Sequence, residues 1–120
     1  MSEETKPVVP KEETFDKLEI RLGRILSVAP AADAPKAAYV IKADFGKFGQ
    51  RTSVGRFTQH TPEELKGKLI LGVLNFEPRQ IGGVVSEFLC LGVQYPKADS
   101  GEATIIMPLA QDAKIGGKLF

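Results

Sequence analysis

Histidine and cysteine are nearly missing from this 120-residue chain, which has one of each, His60 and Cys90. One histidine and one distant cysteine make no zinc pattern, and a single cysteine makes no internal disulfide. Cys90 lies in an apolar run and reads as a small buried hydrophobe rather than a reactive thiol. No Gly-x-Ser-x-Gly elbow occurs, and the glycine patterns that cradle phosphates are absent. The triplet Asp44-Phe45-Gly46 matches the magnesium motif of kinases, but no catalytic loop accompanies it and the chain is too short for a kinase. Enzymatic chemistry, a metal and a cofactor are therefore not expected. No apolar run approaches the roughly 18 residues of a membrane span, so no membrane insertion is expected. Charge of one sign is also missing. The formal net charge is +1, which argues against nucleic-acid binding by bulk charge while leaving a local basic patch open.

What is present is a chain with enough apolar residues for one core: 42% of positions, spread along most of the length. The opening, MSEETKPVVPKEE, has acids and no apolar h-region, so it is neither a signal peptide nor a transit peptide, and a cytoplasmic location is expected. Residues 1–12 read as a mobile arm broken by Pro7 and Pro10, and residues 13–120 as a single domain. Thr14 is placed to cap a short helical turn.

Short strands follow. In LEIRLGRILSVAPA, Leu18, Ile20, Leu22, Leu26 and Val28 share one face, and Gly23 marks a bulge or bend. AYVIKADFG is a second strand, and RTSVGRF a third, polar on both faces. HTPEELKGK carries a helix signature: Thr61 as N-cap, Pro62 at the first helical position, Glu64 completing a capping box and Gly67 as the stop. His60, just before it, reads as a solvated loop residue. LILGVLNF and VVSEFLCLGV are strands four and five, and ATIIMPL a further short strand. Many short strands without a βαβ rhythm predict an all-β fold: a five-stranded OB barrel with a short helix between strands 3 and 4 and a C-terminal extension.

Binding suits this composition better than catalysis. Arg21, Arg24, Lys42, Arg51, Arg56 and Arg79 lie on strands or their edges, near Tyr39, Phe45, Phe57 and Phe76, and such a face can follow a phosphate backbone and stack bases. Taken singly, each of these cations also reads as plain solvated surface. The stretch NFEPRQIGGVVSEFLCLG stands out because Ser86 and Glu87 interrupt an apolar strand, one on each face. Ser86, with Asn75 and Arg79, reads as ligand surface, and Glu87 as a structural group satisfied inside the barrel or across a dimer. A satisfied polar pair within the barrel is the plain alternative.

FDKLEIRLGRI, TPEELKGK and NFEPRQIGGVVSEFLCLG together resemble the tRNA-binding OB-domain family over roughly Thr14 to the C-terminus. Within it, DAPKAAYVIKADFG is similar to the CsaA-type secretion chaperones, since the His-Pro and Lys-Leu pairs usual in tRNA-binding members are missing. The resemblance implies a homodimer joined through parts of the barrel and residues 103–120, binding unfolded or preprotein segments in protein export. The alternative it implies is a stand-alone tRNA-binding protein using the same barrel face. Carried over from tRNA-binding relatives, the contacts fall on Arg51, Asn75, Arg79 and Ser86. Phe88 and Leu89 stand where those relatives have glycine and methionine, and this departure favours an apolar, peptide-accepting surface that also includes Phe76 and Tyr39.

Overall fold

The computed structural model describes residues 3–96 and 101–120. Among the described residues, ten strands and helices carry the fold: β1 (Ile20–Pro30), β2 (Tyr39–Asp44), β3 (Gln50–Gly55), α1 (Pro62–Leu65), β4 (Leu69–Val73), β5 (Arg79–Ile81), β6 (Val84–Ser86), β7 (Leu89–Cys90), β8 (Gly92–Gln94) and β9 (Ala103–Ile105). Antiparallel pairing gives the order β3-β2-β1-β4-β7, a nearly closed five-stranded barrel with the helix between its third and fourth strands. The capping box forms as expected: Thr61 Oγ1 accepts from the Glu64 N–H at 3.1 Å, and Glu64 Oε1 accepts from the Thr61 N–H at 2.9 Å. That backbone hydrogen bond from Thr61 is the main cause holding the Glu64 carboxyl below its usual range.

The barrel interior holds Ile25, Ile41, Ala43, Phe45, Phe57, Ile70, Leu74 and Phe88. Phe45 and Phe88 meet edge to face, with ring centroids 4.9 Å apart. Two glycines make room for them. A Cβ on Gly23 would stand 2.6 Å from the Phe45 ring, and one on Gly72 would stand 2.8 Å from both rings. Gly23 is therefore a packing position. The bulge of β1 falls instead between Ile25 and Ser27, and the pairing shift there changes which residues face inward. Ile20 and Leu22, on one apolar stripe with Leu26 and Val28 in sequence, consequently face away from the barrel interior. They are buried all the same. Beyond the reach of β2, the edge of β1 takes up residues 116–119: Leu22 N–H donates to Gly117 O at 3.0 Å, Gly116 N–H to Leu22 O at 2.7 Å and Leu119 N–H to Ile20 O at 3.1 Å.

Three local expectations need correction. Residues 84–93 do not form one strand; they divide into β6, β7 and β8. The first piece pairs with β5 in a hairpin whose two-residue loop is Gly82-Gly83, with Arg79 opposite Ser86 and Ile81 opposite Val84. Thr14 stands at the N-cap position of a short turn, as expected, but its side chain makes no capping bond. Its hydroxyl donates to Pro10 O at 2.7 Å, and Lys11–Glu13 and Phe15–Lys17 are single 3-10 turns. His60 is not a free loop residue. Its Nε2 lies 2.9 Å from Thr104 Oγ1, and its carbonyl accepts from the Tyr39 hydroxyl at 2.7 Å.

Candidate functional site

The polar residues of the Ser86-Glu87 pair act first on the barrel seam. In β3, the third strand of the sequence, Thr52 and Val54 turn backbone N–H groups away from β2, toward an edge that no full strand covers. Glu87 answers Thr52 twice: its carboxylate accepts from the Thr52 N–H at 2.9 Å, and its own N–H donates to Thr52 O at 2.7 Å. The Ser86 hydroxyl accepts from the Val54 N–H at 3.3 Å and donates to Phe88 O at 3.3 Å. It also lies 3.4 Å from the hydroxyl of Ser53, the buried polar residue of the core. Unmet edge groups are costly and invite pairing with other chains, so two side chains here do what a strand does elsewhere.

Above this seam opens a groove of about 310 Å3 between β3 and the β5–β6 hairpin. Phe76, Ile81, Val54 and Leu89 give its apolar wall, and Phe88 its floor. Arg79, Glu77 and Glu87 stand among them. Phe76 and Leu89 are about half exposed, at 47% and 48%, which is unusual for side chains that gain from burial. Arg79 is exposed and has no hydrogen bond or ion pair among the described residues. A second hollow of about 370 Å3 continues past Arg79 and Ile81 toward Pro35, Ala38 and Arg56.

The structure thus brings five of the seven site residues together: Phe76, Arg79, Ser86, Phe88 and Leu89. Phe88 is 3% exposed, so it belongs to the core and shapes the groove from beneath. Arg51 and Asn75 are elsewhere. Arg51 Nη1 donates to Leu74 O at 3.0 Å, tying β3 to the end of β4. Asn75 Oδ1 accepts from the Glu19 N–H at 2.8 Å, while its Nδ2 donates to Lys17 O at 2.8 Å, anchoring the approach to β1. Tyr39 packs against the core and does not line the groove. Ser53, Val54, Glu77 and Ile81 are the lining residues that sequence reasoning missed, and Glu87, read as structural, lines the groove as well. The signal that finds Ile81 is the Gly-Gly pair flanked by Ile81 and Val84, a two-residue hairpin pattern.

Nothing in the groove is arranged as a nucleophile. Burial pushes the neighbouring Cys90 thiol up to about 12, far from the reactive range. Ser86 has spent its hydroxyl on the seam. An apolar wall with one free guanidinium and two carboxylates suits reversible binding of a mixed, mainly apolar ligand.

Comparison with known proteins agrees with this architecture. Residues 20–118 match the family described as "Putative tRNA binding domain". The chain is 33% identical over 117 residues to a methionine–tRNA ligase of Pyrococcus horikoshii, and 37% identical over 113 residues to that of Methanosarcina mazei. These matches cover 98% and 93% of this chain but only 15% of each ligase. Among solved structures, a CsaA chaperone from Picrophilus torridus superposes with a TM-score of 0.84 at 31% identity, covering 94% of this chain and all of that one. A CsaA chaperone from Bacillus anthracis gives 0.83 at 30% identity with the same coverage.

Proposed function

This chain belongs to the tRNA-binding domain family, and from that premise we propose that it is a CsaA-like chaperone module that holds unfolded or preprotein segments in the groove over the Ser86-Glu87 seam. The observation that carries the reading is the groove wall: two large apolar side chains, Phe76 and Leu89, half exposed beside a single free arginine and two carboxylates. Glu77 and Glu87 disfavour a polyphosphate at that place, and the apolar surface favours a peptide side chain. Full burial of one such residue is worth about 1.5–3 kcal/mol. The two CsaA chaperones that superpose on the chain over their whole length support the same choice.

In this reading the protein is a binding module and not an enzyme, and works in the cytoplasm on precursors awaiting export. It acts as a homodimer. Val93, Met107 and Leu109 leave large apolar surface exposed on β8 and the C-terminal extension, Leu109 completely, and burying such surface drives association.

The test is a fluorescence-anisotropy titration of a labelled unfolded segment of a secretory precursor. Leu89→Glu weakens binding by about tenfold or more, equivalent to about 1.4 kcal/mol, while circular dichroism stays unchanged. Unaltered affinity in a folded Leu89→Glu protein would remove the groove from the account.

A second reading, tRNA binding, is favoured by the family match and by the ligases among the relatives. It calls for a positive surface other than this groove.

A further inference from the structure

The cations of this nearly neutral chain are not evenly mixed with its acids. Around the peptide groove one cation, Arg79, stands with two acids, Glu77 and Glu87. On the flank where the C-terminal segment covers β1 and β4 the balance is reversed. A hollow of about 510 Å3 there is lined by Arg21, Lys47, Lys114 and Lys118, and no aspartate or glutamate lines it. Arg21 is partly neutralised, since Glu19 pairs with it at 2.6 Å. Lys47, Lys114 and Lys118 are exposed and have no ion pair among the described residues. Even with Glu19 counted against them, the lining keeps a positive excess.

The gathering of these lysines follows from the backbone. Two glycines with left-handed φ, Gly46 at +65° and Gly116 at +83°, let the turn after β2 and the C-terminal segment approach closely. A Cβ on Gly46 would stand 3.0 Å from Ile115 O, and one on Gly116 would stand 2.8 Å from Phe45 O. Lys47 directly follows the first contact, and Lys114 and Lys118 flank the second. Like charges so placed repel one another unless an anion sits among them. The Arg21 guanidinium lies 4.6 Å from the centroid of the Phe48 ring, and its Nη1 donates to Gly116 O at 3.4 Å, which fixes the base of the hollow. At its rim Phe120 is fully exposed.

Lys47 Nζ lies 5.6 Å from the centroid of the Phe48 ring, which leaves its charge unneutralised. Lysines without an ion pair beside an exposed aromatic ring are the combination that single-stranded nucleic acid uses, phosphates on the cations and a base on the ring. We infer that this flank is a second site, separate from the peptide groove, that binds an unpaired stretch of RNA, with its phosphates on Lys47, Lys114 and Lys118 and a base on Phe120. The inference rests on the tRNA-binding reading and gives it a location. An acidic peptide would match the charge but leave Phe120 without a partner.

The experiment titrates labelled tRNA into the full chain across a range of salt, for the wild type, the triple variant Lys47→Gln/Lys114→Gln/Lys118→Gln, Phe120→Ala and Arg79→Gln. Light scattering and circular dichroism report assembly and folding of each. The triple variant loses affinity by about tenfold or more near 0.1 M salt, and its slope of log affinity on log salt falls by about two, as three lost phosphate contacts on a single strand require. Phe120→Ala weakens binding by about fivefold or more without changing the salt slope, and Arg79→Gln leaves tRNA binding as it was. The precursor segment binds the triple variant as it binds the wild type. Unchanged tRNA affinity in the folded triple variant overturns the site while leaving the tRNA reading standing. Absence of tRNA binding by the wild type overturns both. Binding of a polyglutamate peptide in preference to tRNA, lost in the triple variant, also overturns the inference.

Discussion

Glu87 and Ser86 each hold an edge N–H of β3 that would otherwise face the barrel seam unpaired. A carboxylate–amide bond of this kind contributes about 1.5–3 kcal/mol. The bond is solvent-exposed, so Glu87→Ala loses less than this range allows and lowers stability by about 1–2 kcal/mol in urea unfolding, and Glu87→Gln, which keeps an acceptor oxygen, loses less than half of that. The neighbouring pair separates core from surface. Phe88→Ala opens a cavity beside Phe45 and costs about 3–5 kcal/mol, whereas Leu89→Ala changes stability by less than about 0.5 kcal/mol and acts on ligand binding. Sequence reasoning saw that two polar residues break an apolar run here, because alternation makes such breaks visible. It could not see that their partners lie more than thirty positions earlier, on the edge of β3. Nor could it see that Phe88 points inward, since that depends on the strand break after Ser86. Asn75 and Arg51 show the same limit from the other side: their amide and guanidinium groups look free in a string of letters, and both are engaged with backbone carbonyls.

At the scale of elements, the parts written in local rules are the parts the sequence shows. The helix between β3 and β4 is fixed by Thr61, Pro62 and Glu64 within four positions, and its capping box forms in full. Thr61→Ala removes one side of that box and lowers stability by about 1 kcal/mol, measurable as a shift in the urea midpoint. Glu64 makes the other side pH-dependent. Its carboxyl is held below the usual 4.5, chiefly by the Thr61 backbone hydrogen bond. Its stabilising contribution is therefore complete above the unfolded carboxyl range and is lost as pH falls through the lowered folded value. Comparing urea midpoints near pH 6 and about pH 3, the wild type loses more than Glu64→Gln, which has no proton to gain at that position. The β5–β6 hairpin is legible in principle from Gly82-Gly83, but the apolar run from Val84 to Val93 reads as one strand. The bulge of β1 was misplaced for a related reason. Gly23 looks like a bend, yet the space it leaves is filled by Phe45, a contact across the barrel rather than along the chain.

On the scale of the molecule, an OB-like barrel presents two surfaces of different chemistry: an apolar groove at the β3 seam and a lysine-lined hollow under the C-terminal segment. The barrel itself was readable from strand count, helix position and absence of βαβ rhythm. The second surface was not, because Lys47 and Lys114 are joined only by the close approach of Gly46 and Gly116. The proposed dimer rests on the exposed Leu109 and Met107. Leu109→Asp together with Met107→Asp converts the dimer to monomer in light scattering, and a dimer that survives both changes places its interface elsewhere. The central claim, that the groove receives peptide, is tested most directly by NMR titration of the isotope-labelled protein with an unfolded precursor segment. Saturable shifts centred on Phe76, Arg79, Ile81 and Leu89, with residues 114–118 unmoved, are the predicted result. Shifts confined to the C-terminal flank, with the groove silent, would contradict the account.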